Sequence, residues 1–127
     1  MWKRSLLLPA LLAIVAAKPN PPECKPGPHG WWGCLESEWV DSHNTLYLPT
    51  KLALFRHGKH VRTIQGKPLI WSWAFLQDGA MLAYEAGPLH FSALCTLQNT
   101  RTGKVVAEYD CYHDEPEPVL DWVKALP

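Results

Sequence analysis

The chain has 127 residues, of which 12 are basic and 12 acidic, so its formal charge is zero when histidine is neutral. This length provides one domain with a modest hydrophobic core. Since there is no basic excess to neutralise phosphates, we expect no nucleic-acid partner, and no stretch supplies the roughly 20 apolar residues of a membrane-spanning helix.

Residues 1–17 have the order of parts that is typical of a cleavable secretory signal peptide. The short positive region Lys3-Arg4 precedes an apolar run that extends to Ala17. Compact residues occupy the positions that a signal peptidase reads, so we place the cleavage after Ala17. The mature chain would then have 110 residues and a secreted or periplasmic location, with no membrane span. A buried N-terminal helix is the alternative.

Residues 18–34 contain five prolines and three glycines. Proline fixes its own torsion and lacks a backbone donor, which excludes a helix or an interior strand here. We therefore expect an extended, Pro-rich N-terminal arm. Cys24 and Cys34 bracket its far half, where a local disulfide would close a loop.

Residues 35–48 allow two interpretations. Ser37 can cap a short helix that ends near His43. Alternatively, residues 45–48 can begin a strand. Both possibilities stay open from the sequence alone.

From Lys51 onward the apolar residues alternate with a period of two, and three successive hairpins are predicted. The first joins Lys51–Arg56 to Lys59–Ile64 through the turn His57-Gly58. Each of the three has its own turn signal, which indicates an antiparallel meander of about six strands.

The second hairpin joins Leu69–Leu76 to Ala80–Glu85 through Asp78-Gly79. This dipeptide suits the left-handed torsions of a type I′ turn. Pairing across a two-residue loop sets Trp73 opposite Tyr84. Five large apolar side chains then share one face and are expected to form the core: Trp71, Trp73, Phe75, Leu82 and Tyr84.

The third hairpin joins His90–Asn99 to Lys104–Cys111, with Gly103 in the left-handed position of a bulge. This register sets Leu97 opposite Ala107. It also collects an apolar face that is expected to be buried, because a shift of one residue would mix apolar and polar side chains. The face consists of Phe91, Ala93, Cys95, Leu97, Val105, Ala107, Tyr109 and Cys111.

The four cysteines indicate two disulfides, since an even count is typical of a small exported domain. The Cys-x-x-Cys spacing of redox and zinc motifs is absent. Cys95 and Cys111 are diagonal neighbours on the buried face of the third hairpin, and Cys111 lies at a strand end that can bend inward. We therefore favour the pairs Cys24–Cys34 and Cys95–Cys111 among the three possible connectivities.

Residues 116–126 are predicted to form a C-terminal helix. Two prolines suit its first turn, and acidic residues lie near the positive end of its dipole. The spacing of Val119, Trp122, Val123 and Leu126 gives an amphipathic face. Residues 35–127 are thus expected to form a single small, mainly β domain with this helix packed against the sheet.

Residues 69–110 resemble one blade of a β-propeller of the WD40 or quinoprotein kind. The resemblance is carried by Trp73, Asp78-Gly79 and the turn Thr102-Gly103-Lys104. A complete propeller needs at least four blades of about 40 residues, which 110 residues cannot supply, and no functional residue is carried over. As a whole, the chain resembles a small secreted bacterial protein, and this resemblance implies no activity.

The candidate ligand-binding residues are Trp31, Trp32 and Trp39, which fall outside the predicted strands. Exposed indoles stack on sugars, because a sugar ring has apolar faces that match the apolar face of the indole and polar hydroxyls at its edge. Glu36 and Glu38 follow closely, and glycosidases use two carboxylates about 5–9.5 Å apart. These residues together predict glycan binding or, with the two acids, glycan hydrolysis.

No metal, cofactor or catalytic residue is predicted. Zinc needs three or four converging ligands, whereas His57 and His60 flank a tight turn and His90 has no ligand spacing to them. A nucleophile elbow is also absent.

We therefore expect a secreted or periplasmic, non-enzymatic binding or structural module, monomeric, with a protein or glycan partner. The alternative is an extracellular glycan-binding protein or hydrolase that uses Trp31, Trp32, Glu36 and Glu38.

Overall fold

The computed structural model describes residues 22–90, 92–112 and 120–127. These residues form two four-stranded antiparallel sheets and one short helix. The elements are β1 Glu23–Pro26, β2 Trp31–Trp39, β3 Tyr47–Arg56, β4 Lys59–Gln65, β5 Leu69–Leu76, β6 Met81–Gly87, β7 Leu94–Asn99, β8 Val105–Asp110 and α1 Asp121–Lys124. Strands β1 to β4 form sheet A and strands β5 to β8 form sheet B, each in sequence order. The predicted signal peptide lies outside the described residues.

The two sheets pack face to face around one core. The core consists of inward side chains from both sheets. Sheet A contributes Trp31, Leu52, Leu54 and Ile64, and sheet B contributes Ile70, Trp73, Leu82, Tyr84 and Ala86. The Trp73 ring lies so close to Gly33 that a Cβ atom at position 33 would overlap it. The two sheets therefore share one core between their inner faces. Sheet B also buries residues of its outer face, because Ala83 alternates with the core residues Leu82 and Tyr84 and is fully buried beside Leu97.

The mainly β antiparallel fold is confirmed, with eight strands in place of six. The two additional strands, β1 and β2, come from segments that were predicted as a Pro-rich arm and an ambiguous stretch. Strand β1 tolerates Pro26 because it is the edge of sheet A, where proline's missing donor faces no partner strand. The arm therefore joins the sheet from Glu23 onward.

Residues 35–48 form strand rather than helix on both sides of a tight turn. The Val40 N–H donates to the Leu46 carbonyl at 2.9 Å. Inside this turn, the Asp41 carboxylate accepts hydrogen bonds from the backbone N–H groups of Thr45 and Leu46, each at 2.9 Å. The side chain of Asp41 thus supplies the acceptor that ends β2 and starts β3.

The first two predicted hairpins are confirmed. Arg56 pairs with Lys59 across the first turn, and Trp73 pairs with Tyr84 in the second hairpin. Asp78 has φ 56° and ψ 33°, and the following glycine has φ 91°. These torsions are those of the predicted type I′ turn.

The prediction that Trp71 belongs to the core is wrong. The β5–β6 ladder is irregular between Ile70 and Ser72, so one extra residue is inserted in β5. The extra residue shifts the alternation of side chains along β5, so that the residues before the bulge face the opposite side from the one predicted. Ile70 is consequently fully buried, whereas Trp71 is 39% exposed.

The third hairpin has the predicted register, with Leu97 opposite Ala107 and Gly103 at φ 79°. A bulge beside Gln98 shifts the pairing near the turn. Val105, which was expected to be buried, is therefore exposed on the edge strand β8. Phe91 lies outside the described residues.

Both favoured disulfides are present, Cys24–Cys34 and Cys95–Cys111. The first joins directly opposite residues of β1 and β2, whose Cα atoms are 4.0 Å apart. The second spans 5.8 Å between Cα atoms and ties the end of the third hairpin to β7. Two disulfides fit an extracellular or otherwise oxidising compartment.

The C-terminal helix is shorter than predicted. It begins at Asp121 because Leu120 has extended torsions, with φ −64° and ψ 141°. The predicted residues 116–119 lie outside the described ranges. Trp122 and Val123 are half-buried, as the apolar stripe requires. In the described part of the chain, no helix has the length and apolar character to cross a membrane.

Candidate functional site

The three candidate tryptophans lie in three different environments. Trp31 is only 4% exposed and packs beside Phe75, with ring centroids 6.2 Å apart. Trp32 is 44% exposed, because successive residues of a strand point to opposite faces. Trp39 is 49% exposed at the far end of β2, where its ring packs edge-on against Tyr47. Trp31 is therefore a core residue, and the other two remain available to a ligand.

Trp32 belongs to a row of side chains that crosses all four strands of sheet A. The row consists of directly opposed residues, here called the aromatic strip: Pro26, Trp32, Phe55 and His60. It lies on the solvent face, since the residues that alternate with it along β2 and β3 belong to the core.

The alternation of β3 places Phe55 on this face. Leu52 and Leu54 are completely buried in the core, so the residues between and after them point outward. The His60 ring meets Phe55 edge-on at a centroid distance of 5.4 Å. Its Nε2 atom is 2.7 Å from the Thr63 hydroxyl, which fixes the orientation of the imidazole.

Polar groups lie beside the aromatic strip on the same sheet face. Two rows away, Glu36 stands opposite Lys51, which in turn stands opposite Gln65. The intervening row includes Thr63, opposite Ala53. The strip is thus a narrow apolar platform with hydrogen-bonding groups on one side.

Glu38 does not have the property that a glycosidase needs in its general acid. Glu38 accepts a hydrogen bond from the Thr50 hydroxyl and lies 3.5 Å from the Lys51 ammonium. The hydrogen bond from Thr50, followed by the charge of Lys51, lowers the pKa of Glu38 below its ordinary value. A general acid needs the opposite shift. Glu36 and Glu38 also lie on an open sheet face rather than in a cleft.

A second feature, here called the end cleft, lies where the turns of the two sheets meet. It has a volume of about 250 Å³. Its lining includes His29 of the β1–β2 turn, Asp78 of the β5–β6 turn, Arg56 at the end of β3, Arg101 of the β7–β8 loop, Trp31 and Thr100. This cleft could not be predicted from the sequence, because its residues come from four separate segments.

Among the residues that the structure describes, no three His, Cys, Asp or Glu side chains converge as metal ligands. Comparison of the chain with protein-family models, curated proteins and solved structures gives no significant match. The site is therefore interpreted from its geometry alone.

Proposed function

We propose that this protein is an exported, non-enzymatic binding module whose ligand is a glycan that stacks on the aromatic strip. The observation that carries the proposal is the position of Trp32, which is exposed and stands directly opposite Phe55 on the solvent face of sheet A. Phe55 is half-buried beside the exposed indole, and a contiguous apolar patch of this kind often marks a binding site.

The shape of the strip favours a sugar over an apolar protein surface. It is a single row, and Lys51, Thr63 and Gln65 lie within the next two rows. A sugar ring has an apolar face bordered by hydroxyls, so it can stack on the indole while its hydroxyls reach these polar groups. An apolar protein partner would instead leave the polar groups buried without hydrogen bonds.

A binding role is favoured over hydrolysis by the state of Glu38. The lowered pKa of Glu38 leaves it ionised at neutral pH, which suits it to accept hydrogen bonds and not to donate a proton. Within this proposal, Glu36 and Glu38 serve as hydrogen-bond acceptors along the platform.

Export is supported by residues 1–17 and by the two disulfides, which fit an oxidising compartment. The mass of the protein recovered from its native compartment tests this part. We expect the N-terminus to be Lys18 and all four cysteines to be paired. An intact N-terminus or four free thiols would contradict export.

Retention on an array of neutral and acidic glycans tests the binding proposal. We expect the oxidised protein to be retained, and Trp32→Ala to lower the affinity by about tenfold or more, because a stacked aromatic anchor is removed. Trp39→Ala is the matched control, since it removes an equally exposed tryptophan from the same strand outside the strip.

The two variants separate the outcomes. Loss of retention in Trp32→Ala with retention in Trp39→Ala supports the strip. Equal retention of both variants, or no retained glycan on the whole array, contradicts the proposal.

A further inference from the structure

The end cleft lies at the junction of both sheets and has rigid walls. His29 and Asp78 occupy corresponding places in the turns that join the first two strands of each sheet, with φ 58° and 56°. The His29 Nε2 atom lies 2.6 Å from the Asp78 carboxylate, so the two turns are tied together. Across the cleft, the Arg62 guanidinium donates to the backbone carbonyls of Thr100 and Arg101 and fixes the third wall.

The cleft has an excess of positive charge. Arg56 and Arg101 line it, and Asp78 is its one carboxylate among the described residues. Within residues 22–90, 92–112 and 120–127, neither arginine forms an ion pair, whereas Asp78 is already engaged by His29. Arg56 and Arg101 are thus the two cationic residues of the lining that can meet a ligand.

The guanidinium of Arg56 is held in position before any ligand arrives. It lies 5.2 Å from the centroid of the Trp31 ring, and its Nε atom donates to the His29 carbonyl at 3.2 Å. The wall formed by Trp31 is apolar, so it focuses the field of the charge into the cleft. A guanidinium fixed in this way matches the oxygens of carboxylate, sulfate and phosphate groups.

The wall also contains an unused hydroxyl. Thr100 is 1% exposed, and its Oγ1 atom has no hydrogen-bond partner among the described residues. Its backbone groups are engaged, since the N–H donates to the Ala80 carbonyl at 3.0 Å and the carbonyl accepts from Arg62. A buried hydroxyl is normally paired, so this wall of the cleft holds an unsatisfied polar atom.

The size of the cleft limits the ligand. Its volume of about 250 Å³ is below the range of about 300–1,000 Å³ that holds a drug-sized molecule. It suits a compact anionic group better than an enclosed nucleotide or large cofactor. Among the described residues, no serine or cysteine lines the cleft, and the Thr100 hydroxyl is buried and makes no hydrogen bond with His29 or Asp78. The His29 and Asp78 pair therefore has no activated nucleophile beside it.

We propose that the end cleft is a binding site for a compact oxyanion, a carboxylate, sulfate or phosphate group, held by Arg56 and Arg101. The proposal is independent of the glycan-binding role of the aromatic strip. The three oxyanion classes share one recognition chemistry, and separate titrations distinguish them.

Isothermal titration of the oxidised protein with sodium phosphate, sodium sulfate and sodium acetate tests the site, with sodium chloride at matched ionic strength as the reference. We expect saturable binding of at least one oxyanion and none of chloride. Arg101→Gln should weaken that binding by about fivefold or more, since one charge-assisted contact is lost. The backbone carbonyl of residue 101 remains available to Arg62.

Two further variants remove one charge each and separate a local site from general electrostatics. Lys59→Gln removes an exposed positive charge at the same end of sheet A but outside the cleft lining, and we expect less than about a twofold change, because an exposed charge outside the site is screened by salt. Asp78→Asn keeps a residue that suits a type I′ turn and removes the competing carboxylate, so the oxyanion should bind more tightly.

Saturable binding that Arg101→Gln weakens and Asp78→Asn strengthens supports the site. No saturable heat with any oxyanion overturns the proposal. Equal effects of Arg101→Gln and Lys59→Gln, or weaker binding in Asp78→Asn, also overturn it.

Discussion

Two neighbouring tryptophans on β2 have opposite roles, because successive side chains of a strand face opposite sides of the sheet. Trp31 is enclosed between the sheets, with Phe75 beside it and the Arg56 guanidinium over its ring. Trp32 lies on the solvent face. The first therefore contributes to stability, and the second is the residue for which we propose a binding role.

Alanine substitutions at the two positions should separate these roles. We expect Trp31→Ala to lower the free energy of unfolding by about 3–5 kcal/mol, since it leaves a large cavity. Trp32→Ala should change it by about 0.5 kcal/mol or less, as for most surface positions. Urea unfolding of the oxidised variants measures both. Equal losses of stability would contradict the assignment of the two faces.

The buried phenol of Tyr84 makes the free energy of unfolding depend on pH in the alkaline range. Burial raises the pKa of Tyr84, against the opposing effect of its hydrogen bond with Thr96, and the charge of Glu108 adds to the rise. The folded protein therefore holds the phenolic proton more tightly than the unfolded chain does. The protonated phenol of Tyr84 contributes fully to stability below its pKa in the unfolded chain, which is about 10. This contribution is lost as the pH rises through the pKa of Tyr84 in the folded protein.

Measurement of the free energy of unfolding against pH checks this effect. Between about pH 9 and about pH 11, the stability of the wild-type protein should fall more steeply than that of Tyr84→Phe, which has no proton to lose. Parallel curves for the two proteins would contradict the role of Tyr84. The remaining tyrosines are common to both proteins and cancel in the comparison.

At the scale of strands and turns, the sequence predicted well wherever a turn has a strict torsion requirement. Asp78-Gly79 and His57-Gly58 have φ values between 50° and 91°, and both hairpins form as the dipeptides predict. Gly103 marks the third turn in the same way. Turns of this kind can be predicted from the sequence because their torsions depend on adjacent residues alone.

The same reasoning missed features that depend on distant partners. Proline excluded β1 from the interior of a sheet, but the sequence did not show that this segment would find an edge position beside β2. The bulge next to Trp71 was also missed, because a bulge is set by the packing of both strands. One inserted residue was enough to exchange Trp71 for Ile70 in the core.

The two disulfides each tie a strand at the edge of a sheet. We expect the double alanine variant of either disulfide, Cys24–Cys34 or Cys95–Cys111, to lose about 3 kcal/mol of the free energy of unfolding. The reason is that the unfolded chain gains conformational freedom when its 10-residue or 16-residue loop is no longer closed. Urea unfolding measures the loss, and hydrogen exchange should locate the first effect in β1. A cost below about 1 kcal/mol for either pair would contradict this account.

At the scale of the whole molecule, two stacked meanders create the surfaces on which function is proposed. Stacking buries one face of each sheet and leaves the aromatic strip of sheet A exposed. It also brings the turns of the two sheets together, which forms the end cleft. Both surfaces are products of assembly rather than of any single hairpin.

The candidate site was therefore only partly predictable. Trp32 was selected because it is a tryptophan outside the strands that the sequence predicts. Phe55 and His60 were not assigned to the site, since they reach it through pairing of β2 with β3 and of β3 with β4. Nothing in the sequence placed Phe55 beside Trp32.

The indole N–H signals of the tryptophans test the central claim most directly. The oxidised protein is titrated with the glycan that the array retains best, and each indole is followed by NMR. We predict that the Trp32 signal moves with saturation, while those of Trp39 and Trp71, which are exposed elsewhere, stay in place. Movement of Trp39 or Trp71 with a stationary Trp32 would contradict the aromatic strip as the binding surface.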